Sequence, residues 1–219
     1  MLKDGEKGVI LQRDKKTYAI VPHIPLGVIT PEFLEKLLNV IKTYKPQAVK
    51  LTSATRIAIV GLKEEDIDAI WQELGTDPGA AIGACVRSVK VCPGKTFCRL
   101  GQQDSLGLGA ELDKLFHGEP TPSKFKIGAS GCVNDCAEVC IKDLGFIGKP
   151  KGWTLMVGGS GGPRPRLAQK LAQDLTTEQA IEAAKKLVAF YKENAKKGER
   201  FGKFIERIGG VEELVKVIS

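Results

Sequence analysis

A chain of 219 residues, 42% hydrophobic and 27% charged, is long enough for one substantial domain or for a domain with a smaller companion, and its composition is that of a water-soluble globular protein. Lys and Arg outnumber Asp and Glu by 33 to 26, and the resulting net charge of +7 admits a polyanionic cofactor, an acidic protein partner or nucleic acid without choosing among them. No stretch approaches the roughly 20 apolar residues that a membrane-crossing helix needs, and Met1 to Lys7 lacks the apolar core of a signal peptide, so a cytoplasmic chain without membrane association is expected.

In chain order, residues 8–22 read as two short strands around the polar turn Arg13 to Lys16. Thr30 is an N-cap with Pro31 at the first helical position. Phe33, Leu34, Leu37, Leu38 and Ile41 then recur at helical spacing until Pro46 forbids continuation. Ala48 to Thr52 and Arg56 to Val60 predict a second pair of strands, and Lys63 to Leu74 an amphipathic helix with an acidic start. From Gly75 the texture turns rich in Gly, Pro and Cys, which places a boundary within 76–84. Phe125 to Ala129 and Trp153 to Val157 predict strands of a second sheet. A long helix capped by Thr176 or Thr177 runs to about Lys197, and a further helix covers Glu199 to Ile208.

Six cysteines in an intracellular chain of this size point to metal or redox chemistry more than to disulfides. Four of them form two remote pairs, Cys92-x5-Cys98 and Cys132-x3-Cys136. Thiolates are soft donors that suit zinc or an iron–sulfur cluster. Cys132 and Cys136 stand at i and i+4, so a helix opening there would put both thiols on one face about 5–6 Å apart. Pro93-Gly94 forces a tight loop whose backbone amides could hydrogen-bond to sulfur. A five-residue gap is wider than zinc motifs usually use, which favours iron–sulfur, with zinc and buried free thiols left as the other readings. Cys85 and Cys140 read as small buried hydrophobes.

Basic residues accompany the cysteines. Arg87 precedes Cys92 by five positions, and Lys124 and Lys126 flank Phe125 shortly before Cys132. On a strand the two lysines would project to one face, where they repel each other unless an anion lies between them or the strand edge is solvated. Arg56 is a weaker candidate for the same anion. Gly158-Gly159-Ser160-Gly161-Gly162-Pro163-Arg164-Pro165-Arg166 follows a predicted strand. Its glycines permit close backbone approach and its arginines can pair with carboxylates, yet it is neither a P-loop nor a dinucleotide fingerprint.

Arg87 to Cys98 (RSVKVCPGKTFC), Lys124 to Cys136 (KFKIGASGCVNDC), Asp143 to Gly148 (DLGFIG), VGGSGG at 157–162 and Glu199-Arg200-Phe201-Gly202 together resemble the sulfite and nitrite reductases that couple sirohaem to a 4Fe–4S cluster. The segment around Arg56 resembles that family's N-terminal half-domain. The resemblance spans nearly the whole chain and implies an α+β fold, a ferredoxin-like half-domain over 1–76 followed by an α/β sirohaem and iron–sulfur reductase domain over 77–219. It implies Cys92, Cys98, Cys132 and Cys136 as cluster ligands, with Cys136 also bridging to the sirohaem iron. Asn134 would approach the macrocycle, with Gly158, Gly159, Arg164 and Arg166 serving the cofactor. Arg56, Arg87, Lys124 and Lys126 would hold the oxyanion substrate.

The implied function is a small sulfite reductase, with nitrite reduction or electron transfer without catalysis as alternatives. An external acidic low-potential donor such as ferredoxin or flavodoxin is expected. The eight carboxylates of sirohaem account for part of the positive charge without nucleic acid. Larger members carry two copies of this half-domain and reductase domain, and their basic residues and cysteines come largely from opposite copies. This chain is one copy, so it works either as a minimal enzyme or as a homodimer. Val133 replaces the Pro common at that point of the motif.

Overall fold

Thr30 opens the first helix as its sequence predicts: its Oγ1 accepts the Phe33 amide at 3.3 Å, and Pro31 occupies the first turn. In the computed structural model, which describes residues 1–219, the chain divides into two units, Met1–Gly83 and Ala84–Ser219.

The first unit runs β1 (Val9–Leu11), β2 (Tyr18–Ile20), α1 (Pro31–Tyr44), β3 (Ala48–Leu51), β4 (Ile57–Leu62) and α2 (Ile67–Leu74). Lys45 in the left-handed region ends α1 just before Pro46, and Gly75 ends α2 in the same way. The four strands form an antiparallel sheet in the order β1-β2-β4-β3. The pairing of β2 with β4 slips at Gly61, whose φ of 83° suits a bulge. Ile57 and Ile59 point inward from β4 and meet Leu37 and Val40 of α1 and Ile70 and Leu74 of α2, giving this unit its own core. The expected helix from Lys63 begins as a short 3-10 turn, Glu64–Asp66, before α2.

The second unit contains β5 (Lys90–Val91), α3 (Gly94–Phe97), α4 (Ser105–Phe116), β6 (Ile127–Ser130), β7 (Leu144–Lys149), β8 (Gly152–Val157), β9 (Gln169–Leu175), α5 (Thr177–Asn194), α6 (Phe201–Ile208) and α7 (Val211–Ile218). Its sheet is mixed: β5, β6 and β7 are parallel, and β8 and β9 continue antiparallel. Thr176 and Gln179 form a reciprocal capping box that starts α5. Phe125, Tyr191, Phe201 and Phe204 make a tilted and edge-on aromatic cluster with centroids 5.1–5.5 Å apart for the Tyr191 pairs and the Phe125–Phe201 pair. That cluster ties α5 and α6 to the segment leading into β6. The α+β architecture is therefore an antiparallel half-domain followed by a mixed α/β domain.

Candidate functional site

The topology itself gathers the two cysteine segments. β5 and β6 lie side by side in parallel, with Val91 opposite Ala129 and the Cys92 amide donating to the Ala129 carbonyl at 3.2 Å. Cys92 leaves the carboxyl end of β5, while Gly131 and Cys132 leave the carboxyl end of β6. Loops at this end of parallel strands are the usual ligand positions of open α/β sheets.

Glycines then allow the loops to touch. A Cβ on Gly131 would lie 2.6 Å from the Gly94 Cα and 2.8 Å from the Gln103 carbonyl oxygen. One on Gly94 would meet Ser105 Oγ at 2.2 Å, and one on Gly101 would meet the Gly94 carbonyl carbon at 2.4 Å. The Gln102 and Gln103 amides both donate to the Gly131 carbonyl, at 2.7 and 3.0 Å. The Gly131 amide donates to Cys92 Sγ at 3.1 Å, and Ser105 Oγ stands 3.5 Å from the same sulfur. An amide aimed at sulfur stabilises its thiolate and tunes any metal bound there. The donor comes from the second cysteine segment, whereas the sequence suggested the Pro93-Gly94 loop.

No helix runs through Cys132 and Cys136. Asp135 and Glu138 have φ of 51° and 58°, and the segment is a chain of turns ending in the 3-10 turn Val139–Ile141. Left-handed residues break a helical path, so the i, i+4 argument does not apply. Cys136 is exposed and the other five cysteines are partly so, which also corrects the reading of Cys85 and Cys140 as buried. No three His, Cys, Asp or Glu side chains close around a single-ion position. A tetrahedral zinc site holds its thiolates roughly 4 Å from one another. A cubane takes one thiolate at each iron corner and spaces them more widely. The cysteine thiols, the glycine-packed loops and the amide on Cys92 Sγ fit that donor set.

Arg87, Lys124 and Lys126 occupy the other end of the same strands. Arg87 precedes β5, and its amide bonds the Phe125 carbonyl at 2.8 Å. Lys124 and Lys126 precede β6, whose first residue is Ile127, and flank the buried Phe125, which bridges Val86 in parallel, so both lysines are exposed on the side away from it. Four strand residues rise roughly 13 Å, and that length separates their backbone from the cysteine loops. Asp143, 1% exposed, organises this end: it takes Arg200 Nη2 at 2.9 and 3.0 Å and the Lys126 amide at 2.9 Å. Burial pushes its carboxyl above the ordinary carboxylate range, against the pull of Arg200. Burial also lowers Lys126, with Lys142 and Lys124 pushing the same way, and it lowers Arg87. Lys90 and Lys142 clamp Glu138 at 2.9 and 3.1 Å and hold its carboxyl down. Arg56 lies in the first unit, where its Nη1 donates to the Gly79 carbonyl at 3.0 Å.

A cavity of about 430 Å³ opens beside this cationic end, with Lys124, Arg164, Arg166, Arg200 and Lys203 among its lining residues. Arg166 pairs with Glu206 and Arg200 with Asp143, while Arg200 Nε is buried without a partner. The excess of cations and the orphaned donor suit carboxylates, and the volume suits the carboxylate-bearing edge of a large polyanion. Gly158 has φ 82°, and a Cβ on Gly159 would strike the Lys142 carbonyl oxygen at 2.6 Å, so this second glycine is explained by packing against the chain itself. Asp143, Arg200, Lys142 and Glu138 escaped sequence reasoning, although Asp143 opens one of the quoted motifs and Arg200 is the second residue of another.

The comparisons agree with this geometry. Residues 10–76 match the nitrite/sulfite reductase ferredoxin-like half domain and residues 82–219 the nitrite and sulphite reductase 4Fe-4S domain. The chain belongs to the nitrite and sulphite reductase family, a class of oxidoreductases. It is 44% identical over 208 residues to an assimilatory-type sulfite reductase of Nitratidesulfovibrio vulgaris, covering 95% of each chain. It is 41% identical to a nitrite reductase [NAD(P)H] of Bacillus subtilis and 38% identical to the nitrite reductase (NADH) large subunit of Escherichia coli, covering 91% and 95% of itself but 25% of each relative. In fold it superposes on dissimilatory sulfite reductase I with a TM-score of 0.80 at 16% identity, covering 92% of this chain and 69% of that one. The NirA protein of Mycobacterium tuberculosis gives the same score at 19% identity, covering 99% and 43%. No helix is long and apolar enough to cross a membrane.

Proposed function

We propose that the chain reduces sulfite to sulfide, consuming six electrons and six protons and releasing three waters, with a 4Fe–4S cluster and sirohaem as its cofactors. The observation that carries this reading is the junction of the two cysteine loops at the carboxyl ends of β5 and β6, with the Gly131 amide on Cys92 Sγ. Cys92, Cys98, Cys132 and Cys136 would hold the cluster. Cys136, exposed where the others are partly covered, would supply the thiolate shared with the macrocycle, and Asn134 lies in the same loop. When bound, the two cofactors supply one-electron storage and an iron site that takes the substrate's sulfur.

The chain's own residues bind and neutralise anions. Arg164 and Arg166, on the loop that opens with Gly158 and Gly159, would pair with macrocycle carboxylates in the cavity. Arg87, Lys124 and Lys126, together with Arg56, would hold the oxyanion, and the lysines can donate protons to departing oxygens. Arg87, Lys124 and Lys126 lie where β5 and β6 begin and the cysteines where they end, so one anion served by both would call for a cofactor that spans β6 or for residues from a second copy of the chain. A homodimer is accordingly part of the proposal. A domain boundary in 76–84 accords with the two units, and a cytoplasmic setting with an acidic one-electron carrier, such as ferredoxin or flavodoxin, completes the reading.

Sulfite is preferred to nitrite because the relative described as a sulfite reductase shares 44% identity with this chain, against 41% and 38% for the two nitrite reductases. Anaerobic turnover with a reduced low-potential donor tests the choice: sulfide from sulfite is expected, and turnover of nitrite alone would replace the proposal with ammonia formation.

A further inference from the structure

Between Cys132 and Cys136 the chain places an aspartate where a glycine would be the less strained residue. Asp135 has φ 51°, in the left-handed region that side chains other than Asn and Asp rarely visit. Its carboxylate explains the choice. One oxygen accepts the Ser130 hydroxyl at 2.9 Å and the Val139 amide at 2.7 Å, and the other accepts the Cys140 amide at 3.0 Å. Ser130 Oγ in turn accepts the Ala137 amide at 3.0 Å. The backbone closes the same turn, with the Asp135 amide on the Cys132 carbonyl at 3.3 Å and the Glu138 amide on the Asp135 carbonyl at 2.8 Å.

Ser130, Ala137 and Val139 are fully buried. Their polar groups have no water to fall back on, so the carboxylate and the hydroxyl are what satisfy the chain as it leaves Cys136. Glycine would permit the same φ and supply none of these acceptors. Asparagine would keep one acceptor oxygen and turn an amino group toward the other donors.

We infer that Asp135 is a positioning residue for the iron–sulfur site: it sets the Cys132–Cys136 loop in its ligating shape before any metal arrives, and its negative charge, one residue from Cys136, lowers the reduction potential of the bound cluster. The inference rests on the cluster reading above. Its electrostatic half follows from the rule that net charge and hydrogen bonding near the sulfurs set cluster potentials: an added anion disfavours gaining an electron. Both oxygens accept hydrogen bonds, so the two substitutions separate charge from shape in part. Asp135→Asn removes the charge and keeps part of the turn; Asp135→Ala removes both.

The test uses the full chain, reconstituted anaerobically with iron and sulfide, beside both variants. Iron and acid-labile sulfide per chain, the cluster's midpoint potential, and amide exchange in the metal-free chain are measured. Asp135→Asn is expected to take up cluster with its potential shifted upward. Asp135→Ala is expected to lose most of its iron and to exchange the Val139 and Cys140 amides at least about tenfold faster, as loss of a buried acceptor requires. Parental iron content and parental amide exchange in Asp135→Ala would overturn the positioning role, and an unshifted potential in Asp135→Asn would overturn the electrostatic one. A parent chain that takes up no iron would instead overturn the cluster reading, while its amide exchange would still report whether Asp135 shapes the loop.

Discussion

Gly131 runs so close to Gly94 that a methyl group on its α-carbon would sit 2.6 Å from the Gly94 Cα. The two residues belong to loops that leave neighbouring parallel strands, and each is within two residues of a cysteine. Their contact lets the Gly131 amide reach Cys92 Sγ. The approach of two backbones brings the halves of the site together.

Gly131→Ala therefore forces the loops apart. The substitution is expected to destabilise the second unit by about 1–3 kcal/mol, the usual cost of overpacking a close contact, and to lower iron uptake on reconstitution. Chemical denaturation and iron analysis of the variant check both. A variant as stable as the parent, with the same iron content, would show that the loops can separate freely.

At the opposite end of the strands, Arg200→Ala leaves the Asp143 carboxylate buried with the Lys126 amide as its remaining partner. Breaking a buried pair from one side typically costs about 3–5 kcal/mol. The double variant Asp143→Asn with Arg200→Ala removes the stranded charge and should recover part of that loss. Equal destabilisation in the single and double variants would mean that Arg200 acts through packing instead.

Glu199 supplies a pH signature. Hydrogen bonds from Arg207 hold its carboxyl down to about 2, against an unfolded value of about 4.3. A group whose folded value is depressed contributes stability that is complete above the unfolded value and lost as the pH falls through the folded one. The stability gap between the parent and Glu199→Gln should be constant above about pH 5 and close between about pH 4 and 2. Unfolding midpoints taken across that range would show no such closure if the Arg207 pair were immaterial.

Lys126 is lowered by burial and by the neighbouring lysines, so it sheds its proton at a lower pH than an ordinary lysine. Sulfite affinity should weaken as pH rises through that value, and Lys126→Arg should remove the alkaline decline because arginine stays charged. Lys124→Ala combined with Lys126→Ala should cut turnover while leaving iron content intact. Full activity in that double variant would exclude both from the anion site.

Much of this architecture was legible in the residues. The Thr30-Pro31 start and Pro46 stop bracket α1, the alternation of Ile57 and Ile59 marks β4, and the capping residues at 176 and 177 mark α5. β9 was not, because its Gln169–Leu175 sequence is largely exposed and alternates weakly. α4 was missed because Gly107 and Gly109 interrupt its apolar pattern. The cysteine spacing stands out in the sequence, but the turns that carry Cys132 and Cys136 do not, since a left-handed Asp135 is held by partners that lie up to five residues away and no periodicity reports them. The distance between the basic residues and the cysteines was equally invisible: six positions in sequence became the two ends of a strand.

The most direct test is the cofactor content of the chain purified without oxygen, read as iron, acid-labile sulfide and visible spectrum in the parent and in Cys136→Ser. The account predicts a coloured parent with about five irons and four sulfides per chain, with a tetrapyrrole spectrum that Cys136→Ser uncouples from the cluster. A colourless parent that takes up neither iron nor macrocycle on reconstitution would contradict it.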